Sequence, residues 1–187
     1  MIGLSEKILM IFGWKLIGDF PNINKSVVTL APHTSNWDFI IGRLYLNARS
    51  INNNTLMKKE MFFFPLGIIL RVLGAIPVDR KNKKISVVSQ AVSIFKEKDE
   101  FNLFIAPEGS RNKVTQWKKG FFYIAQEAKV PIVISFIDYK KKEVGIMGVV
   151  EDSTTIEKAM IEVNNIYKDI NAKFPDNFAL DIFLDKN

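Results

Sequence analysis

Short apolar runs alternate with longer amphipathic segments along most of the chain. The runs are rich in β-branched and aromatic residues and seldom alternate with polar ones, which is typical of strands covered on both faces. Strands are predicted at 26–31, 54–58, 75–78, 101–106 and 132–137, with 143–150 as an added strand, and helices near 36–48, 62–72, 83–97, 118–128 and 154–174. This alternation predicts an α/β fold with a largely parallel central sheet flanked by helices.

No repeat, low-complexity tract or linker interrupts the pattern, and 187 residues suffice for one domain with a full core. We therefore expect a single domain over 1–187. The first 20 residues (1–20) contain an apolar run, 8–14, between two lysines. It is shorter than the roughly 20 apolar residues of a bilayer span, and a signal peptide's basic start and cleavage site are missing. It predicts an apolar N-terminal helix, docked on the core or lying in a membrane interface.

The sequence contains no cysteine and a single histidine. Disulfides, cysteine nucleophiles, thiolate metal sites and a histidine-rich metal centre are therefore excluded, and we expect no bound metal. The net charge of +6 favours an acidic partner: nucleic acid, an anionic membrane surface or a phosphorylated small molecule. Seven basic residues against two acidic ones fall between 58 and 84. A solvated basic face also explains that cluster, so anion binding must rest on individual residues.

The stretch "TLAPHTSNWDFIIG" holds the single histidine, His33, and a carboxylate, Asp38. In a continuous helix these side chains would lie on different faces, so they can meet only if His33 precedes the helix and Asp38 lies in its first turn. Thr34 or Ser35 is a suitable N-cap for that helix. His33 would then lie at the carboxyl end of a strand, where open parallel sheets bind ligands. A capping box of Ser35 and Asp38 is the alternative, and the spacing alone leaves both open.

A histidine oriented by a carboxylate can act as a general base, because the carboxylate fixes the tautomer and leaves the other ring nitrogen free to take a proton. The chain has no G-x-S-x-G nucleophile elbow and no thiol. The hydroxyl to be activated therefore belongs to the substrate, which favours a transferase over a covalent hydrolase.

Two further polar clusters follow predicted strands. "FIAPEGSRNK" (104–113) contains a glycine that permits a tight turn, and Arg111, whose guanidinium fork matches a phosphate. A polar loop with Arg111 paired to Glu108 is the alternative for this cluster. "LGAIPVDR" (73–80) ends a short strand in a charged pair, which is common and carries little information by itself.

Taken together, in this order and spacing, the clusters closely resemble the glycerolipid acyltransferase family, whose best-known bacterial member is lysophosphatidic acid acyltransferase. The family's H-x-x-x-x-D block matches His33 and Asp38, its G-x-I-x-x-x-R block matches 74–80, its E-G-[ST]-R block matches 108–111, and its V-P-[IV]-[VIL] block matches the start of 130–135. The resemblance covers roughly 25–140 and is strongest to a compact bacterial subgroup. Pro32 departs from the pattern, since many members have Asn before the histidine.

The resemblance implies an O-acyltransferase of phospholipid biosynthesis. It would move a fatty acyl group from an acyl thioester, acyl-CoA or acyl carrier protein, to a hydroxyl of a lysophospholipid such as 1-acylglycerol-3-phosphate. His33 would be the general base and Asp38 its orienting carboxylate, and no cofactor is implied because the thioester carries the activation. The substrate-binding residues would be Lys58, Arg80, Glu108, Gly109, Ser110 and Arg111. Such an enzyme would be a peripheral protein on the anionic cytoplasmic face of the inner membrane, without a transmembrane span.

Two other classes of function compete with this one. A non-catalytic lipid- or anion-binding module on the same fold would keep the basic and apolar surfaces but has no need of His33 or Asp38. A nucleic-acid binder would suit the charge, but the aromatic residues lie in apolar runs rather than among the lysines. We therefore expect no nucleic-acid partner.

Overall fold

The computed structural model describes residues 3–82 and 84–182. In chain order the elements are α1 (Leu4–Ile11), β1 (Lys15–Ile17), β2 (Lys25–Ala31), α2 (Asn36–Ala48), β3 (Thr55–Lys58), α3 (Leu66–Val72), β4 (Ala75–Val78), α4 (Val87–Glu97), β5 (Phe101–Ile105), α5 (Gly120–Ala128), β6 (Ile132–Asp138), β7 (Glu143–Val149) and α6 (Ile156–Tyr167). Five of the strands form the central sheet, in the order β1–β7–β6–β2–β5. Neighbouring strands are parallel except β6 and β7, which are antiparallel. The predicted α/β fold with a largely parallel sheet is confirmed.

Helices cover both faces of this sheet. Successive residues of the central strand β2 point to opposite faces, so Val27 and Val28 are both fully buried but belong to different apolar clusters. The cluster around Val27 takes side chains from α4, α5 and α6, whereas the cluster around Val28 takes them from α1 and α2. Burial on both faces is why the strand sequences are continuously apolar rather than alternating.

The strands β3 and β4 form a separate two-stranded parallel sheet instead of joining the central one. The two sheets touch at Asn54, which precedes β3. Its N–H donates to the Asn102 carbonyl at 2.9 Å, and its carbonyl accepts from the Phe104 N–H at 2.8 Å. After Asn54 the pairing with β5 stops, and the space that opens between the sheets becomes the main pocket described below.

Four predicted helices are shorter in the structure. In place of 62–72, 83–97, 118–128 and 154–174 they cover 66–72, 87–97, 120–128 and 156–167. Ser86 and Thr155 start two of them, because each hydroxyl accepts a backbone N–H of the first helical turn. The third starts after Pro65, since proline disfavours a helical conformation in the residue before it. The predicted start at Lys83, a member of the basic cluster, lies outside the described residues, as do Met1, Ile2 and 183–187.

The N-terminal helix α1 packs on the core along one side. Leu9 is buried against α2, and Trp14, just beyond the helix, is buried with it. Leu4, Ile11 and Phe12 are exposed apolar side chains on the same segment. Beyond them lies β1, a strand that the sequence pattern did not predict. Every helix among the described residues falls short of the length and apolarity that a bilayer crossing requires.

Candidate active site

His33 and Asp38 meet at the carboxyl end of β2. His33 lies in the turn after the strand, and Asp38 is in the first turn of α2, which begins after Ser35. Nδ1 of His33 lies 3.2 Å from Oδ2 of Asp38, with the Asp38 carboxylate fully buried and the imidazole 19% exposed. Nδ1 makes no fully aligned hydrogen bond, which is common in unliganded sites because such bonds tighten around substrate.

The Asp38 carboxylate also caps the helix. Its Oδ2 accepts the backbone N–H groups of Thr34 and Ser35, each at 2.8 Å, while the Ser35 hydroxyl accepts from Trp37 N–H at 3.1 Å. The capping box and the contact with His33 therefore coexist on one carboxylate. Burial works to raise the pKa of Asp38, but the close contact with His33 and the hydrogen bonds from Tyr139 and Ser35 outweigh it and hold that pKa below its usual range.

Tyr139 is a part of the site that the sequence did not reveal. It follows β6, and its hydroxyl donates to Oδ1 of Asp38 at 2.6 Å. Burial and the neighbouring carboxylate both raise the pKa of this hydroxyl, so it stays a donor. The two residues are 101 positions apart, and no local motif marks the tyrosine. Both carboxylate oxygens of Asp38 therefore accept hydrogen bonds that hold the side chain in place.

Glu108 holds the backbone of His33 through a hydrogen bond. Its Oε1 accepts the backbone N–H of His33 at 2.8 Å, whereas its Oε2 is buried without a hydrogen-bond partner. Burial raises the pKa of the Glu108 carboxyl to about 7. Among the described residues no ion pair joins Glu108 to Arg111. The predicted substrate-binding Glu108 therefore faces inward and positions the turn that carries His33.

His33, Asp38 and Arg111 line a pocket of about 510 Å³ between α2 and the small sheet, here called the catalytic pocket. Most of its other lining residues are apolar and come from α2, α3, β3 and β5; they include Phe39, Ile40, Leu46, Met57, Leu70, Leu73, Phe104 and Ile105. Two lining polar atoms, Nε of Arg43 and Oγ1 of Thr55, are buried without a hydrogen-bond partner. Such a volume and lining fit the alkyl part of a ligand.

The turn after β5 holds the other predicted residues of the E-G-S-R cluster. Gly109 has a positive φ of 65°, and a Cβ there would lie 2.9 Å from Cγ of Lys118, so this position favours glycine. The Ser110 hydroxyl accepts from the Asn112 N–H at 3.1 Å. This tight turn fixes the backbone on either side of Arg111, whose side chain is exposed at the pocket.

The remaining predicted basic residues lie outside the catalytic pocket in the described structure. Arg80 is exposed, and its Nη2 donates to the Leu56 carbonyl at 3.4 Å. Lys58 is exposed at the end of β3. Its neighbour Lys59 pairs with Asp79. The structure therefore brings His33, Asp38, Glu108 and Arg111 together and leaves Arg80 and Lys58 on the surface of the small sheet.

No group of three or more His, Asp or Glu side chains in the described parts of the chain could hold a metal ion. The groups around His33 have an arrangement that suits proton transfer. Asp38 accepts through both oxygens, Tyr139 donates, and the imidazole borders an apolar pocket.

Comparison with known proteins agrees with this geometry. The sequence is 31% identical over 114 residues to the 1-acyl-sn-glycerol-3-phosphate acyltransferase of Streptococcus pneumoniae, covering 60% of this chain and 42% of that protein. It is 27% identical over 136 residues to the enzyme of that name in Saccharomyces cerevisiae, covering 68% and 43%. A probable 1-acyl-sn-glycerol-3-phosphate acyltransferase of Mycoplasma pneumoniae is 29% identical over 151 residues, covering 77% and 54%. The chain thus spans about half the length of these relatives.

The sequence model of the acyltransferase family matches residues 17–136, which is well over half of the chain. That range contains β2, the His33–Asp38 pair, the small sheet and the turn that carries Arg111. The chain therefore belongs to the acyltransferase family.

Proposed function

We propose that this protein is an O-acyltransferase that moves a fatty acyl group from an acyl thioester to a hydroxyl of a lysophospholipid of the 1-acylglycerol-3-phosphate type. The observation that carries the proposal is the His33–Asp38 pair in the lining of an apolar pocket that Arg111 also lines. The names of the relatives support the choice of acceptor.

In the proposed reaction His33 removes the proton of the acceptor hydroxyl as that oxygen attacks the thioester carbonyl. A C–O bond forms, the C–S bond of the tetrahedral intermediate breaks, and the proton passes from His33 to the departing thiolate. Asp38 keeps the imidazole in the tautomer that can accept this proton and stabilises the imidazolium that forms. Acyl-CoA and acyl carrier protein both supply such a thioester.

The acyl chain of the donor would occupy the catalytic pocket. The pocket follows one stripe of α2, from Asn36 past Phe39 and Arg43 to Leu46. Ten residues of helix extend about 15 Å. An acyl chain that enters beside His33 would thus run along α2 and reach Arg43, whose guanidinium is a polar group in a mainly apolar lining.

The acceptor phosphate would be held by Arg111 at the pocket, with Arg80 and Lys58 supplied by the neighbouring small sheet. Arginine offers a planar fork that matches phosphate oxygens, and an exposed guanidinium without an ion-pair partner is free to take them. Arg111 is exposed and in the described structure makes no ion pair.

Thiol release distinguishes this enzyme from a non-catalytic lipid- or anion-binding module. Purified protein is mixed with a panel of acyl-CoA and acyl carrier protein donors and a panel of lysophospholipids, and the free thiol and the diacyl product are both measured. We expect thiol release that requires an acceptor, is largest with 1-acylglycerol-3-phosphate and disappears in His33→Ala. Lipid binding without thiol release in either protein would favour the module.

Because a lysophospholipid lives in a bilayer, we also propose that the enzyme binds the anionic cytoplasmic face of the inner membrane as a peripheral protein. Exposed apolar side chains support this. On α1 they are Leu4, Ile11 and Phe12, and around α3 they are Met61, Phe63, Phe64, Ile68, Ile69 and Val72. Basic residues near the surface add about 1 kcal/mol each of attraction to anionic lipid.

Flotation with liposomes tests the membrane proposal. We expect binding to anionic vesicles that is stronger than binding to neutral ones, and partial release at high salt because only the electrostatic part is screened. Phe64→Asp should weaken it, whereas Ile161→Asp, a matched change at an exposed position of α6, should not. Protein that stays unbound at low salt would contradict the proposal.

A further inference from the structure

A second apolar groove lies between α1 and α2, on the other side of α2 from the catalytic pocket. Its volume is about 390 Å³, and Ile40 is the one α2 residue that lines both spaces. The α2 residues that face the groove, Trp37, Ile41 and Leu44, follow helical spacing, and Ile8 and Phe12 face it from α1. This is the size of a small ligand pocket.

Among the described residues, the charged side chains that line the groove are Lys142 and Lys173. Nζ of Lys173 lies 4.9 Å from the centroid of the Trp37 ring and 5.6 Å from that of Tyr139, and Nζ of Lys142 donates to the Phe12 carbonyl at 3.0 Å. Neither ammonium group lies within ion-pair distance of a carboxylate anywhere in the described chain. Lys142 is exposed and Lys173 is half-buried, so both ammonium groups can pair with an anionic group bound at the groove.

The lining also limits what kind of head group can bind. In the part of the chain that the structure describes, no serine, threonine, asparagine, glutamine or carboxylate lines the groove, and the Tyr139 hydroxyl already donates its hydrogen bond to Asp38. A glycerol or sugar head would find few partners for its hydroxyls. A single alkyl chain that ends in a carboxylate needs only the apolar walls and the lysines.

We propose that this groove is a binding site for one long-chain fatty acid, with the alkyl chain between α1 and α2 and the carboxylate on Lys142 and Lys173. The site is separate from the catalytic pocket and does not depend on the transferase reaction. Tyr139 lines the groove and donates to Asp38, so the bound acid would lie directly behind the catalytic pair.

The positions of the three tryptophans make the proposal testable without measuring activity. Trp14 and Trp37 line the groove, whereas Trp117 is buried in the cluster on the opposite face of the sheet. Bromine atoms on a lipid chain quench indole fluorescence only on contact. Dibromostearic acid, added below the concentration at which it aggregates, should therefore quench Trp14 and Trp37 saturably and leave Trp117 bright in a Trp14→Phe/Trp37→Phe variant.

Charge is tested with Lys142→Met/Lys173→Met, which keeps the length and apolar stem of each side chain. We expect its Kd for the acid to rise at least about tenfold, the equivalent of one 1.4 kcal/mol interaction. Lys96→Met/Lys98→Met, the same charge change at exposed positions in the last turn of α4 and just after it, should leave the Kd unchanged. His33→Ala should also leave it unchanged, because the catalytic pocket is not involved.

Four results would overturn the fatty-acid site. They are equal quenching by methyl dibromostearate, an unchanged Kd in Lys142→Met/Lys173→Met, tighter binding of a lysophosphatidic acid that carries the same brominated chain, and equal quenching by vesicles of brominated phosphatidylcholine. The last would mean that the groove contacts a bilayer instead of enclosing a free acid. The comparison of the acid with its ester uses the unaltered protein, so it is decisive even if a variant does not fold.

Discussion

The catalytic pair and the basic residues around it differ in how firmly the fold holds them. Asp38 is fully buried and accepts hydrogen bonds from Thr34, Ser35 and Tyr139, and Glu108 holds the backbone of His33. Arg111, in contrast, is exposed, and Arg80 makes one long hydrogen bond to a carbonyl. The residues proposed to transfer the proton are thus fixed by the fold, whereas those proposed to bind the acceptor phosphate are exposed and make few contacts.

This difference has a physical origin. A carboxylate that must orient an imidazole loses little by burial if several donors satisfy it, and it then gains a fixed direction. Arginines that bind a charged, diffusing substrate gain from staying hydrated and mobile until the phosphate replaces water. Substitutions in the buried half should therefore change the rate constant and the stability, whereas substitutions in the exposed half should change the acceptor KM.

The largest effect is expected at His33. His33→Ala should lower kcat by about 10²–10⁴-fold, the usual contribution of a general base, while the fold survives because the imidazole is partly exposed and accepts no buried hydrogen bond. Thiol release and a thermal melt measure the two quantities. If more than about a tenth of the rate remained, a role for His33 as the base would be wrong.

Asp38→Asn should be nearly as harmful to the rate, because an amide cannot stabilise the imidazolium. If the two residues act as a unit, the double variant should be no slower than His33→Ala alone. Asp38→Asn should also lower the free energy of unfolding by about 1 kcal/mol, because the backbone N–H groups of Thr34 and Ser35 would donate to a neutral amide oxygen in place of a carboxylate. Additive rate losses in the double variant would indicate that Asp38 serves only as a cap.

Glu108 provides a pH-dependent test of the buried half. Its pKa is raised from an ordinary 4.5 to about 7, so the folded state favours the neutral acid. The associated stability is fully present below pH 4.5 and is lost as the pH rises through about 7, a change of roughly 3 kcal/mol. Glu108→Gln keeps an oxygen for the His33 N–H and removes the titration.

The urea-unfolding free energy of Glu108→Gln, relative to the unaltered protein, should therefore be higher at about pH 8 than at about pH 4.5. Glu127→Gln, a matched change at an exposed residue of α5, should show no such dependence. A parallel pH dependence in the unaltered protein and Glu108→Gln would mean that Glu108 ionises normally in the folded state.

The fold was predictable where its signals are local. Helix α2 covers 36–48 as predicted, because Ser35 and Asp38 mark its start within a few residues. The strand β1 was missed, since three residues at the edge of a sheet carry no pattern. The separate pairing of β3 with β4 could not be predicted either, because hydrophobic periodicity identifies strands but not the strands they pair with.

The residues of the site likewise divide into those that local sequence predicted and those that depend on long-range contacts. The turn with His33 and Asp38 was predictable from one short segment, but the choice between a His–Asp pair and a cap was not, because the same oxygen of Asp38 contacts His33 and accepts the capping N–H groups. Glu108 was expected among the substrate-binding residues, yet its contact is with the His33 backbone, 75 positions away. The contact of Tyr139 with Asp38 could be found only from the three-dimensional fold, because no sequence motif marks this tyrosine.

In the exposed half, Arg111→Ala should raise the acceptor KM by about tenfold to a hundredfold, the range expected for hydrogen bonds to a charged group. The donor KM should stay unchanged, and Arg111→Lys should restore little because the fork is lost. Arg49→Ala removes an exposed guanidinium just after α2, where it lies 3.9 Å from Oδ1 of Asp19, and serves as the control. Equal losses for donor and acceptor would show that Arg111 does not select the phosphate.

The smallest effect is expected at Tyr139, and it probes how far the buried half depends on a single donor. Tyr139→Phe removes the 2.6 Å hydrogen bond to Asp38 but keeps the ring that packs edge-on against Trp14. Thr34 and Ser35 still hold the other carboxylate oxygen, so kcat should fall by no more than about tenfold.

The ionisation of Asp38 itself separates this positioning role from a merely structural one. The Tyr139 hydrogen bond is one of the contacts that lower the Asp38 pKa, so its loss should raise that pKa toward its usual value. An NMR titration of the Asp38 carboxyl carbon measures this pKa directly in the unaltered protein and in Tyr139→Phe. Tyr123→Phe, at an exposed position of α5, should leave the Asp38 pKa in place. A slower Tyr139→Phe enzyme with an unchanged Asp38 pKa would mean that the hydroxyl does not act through Asp38.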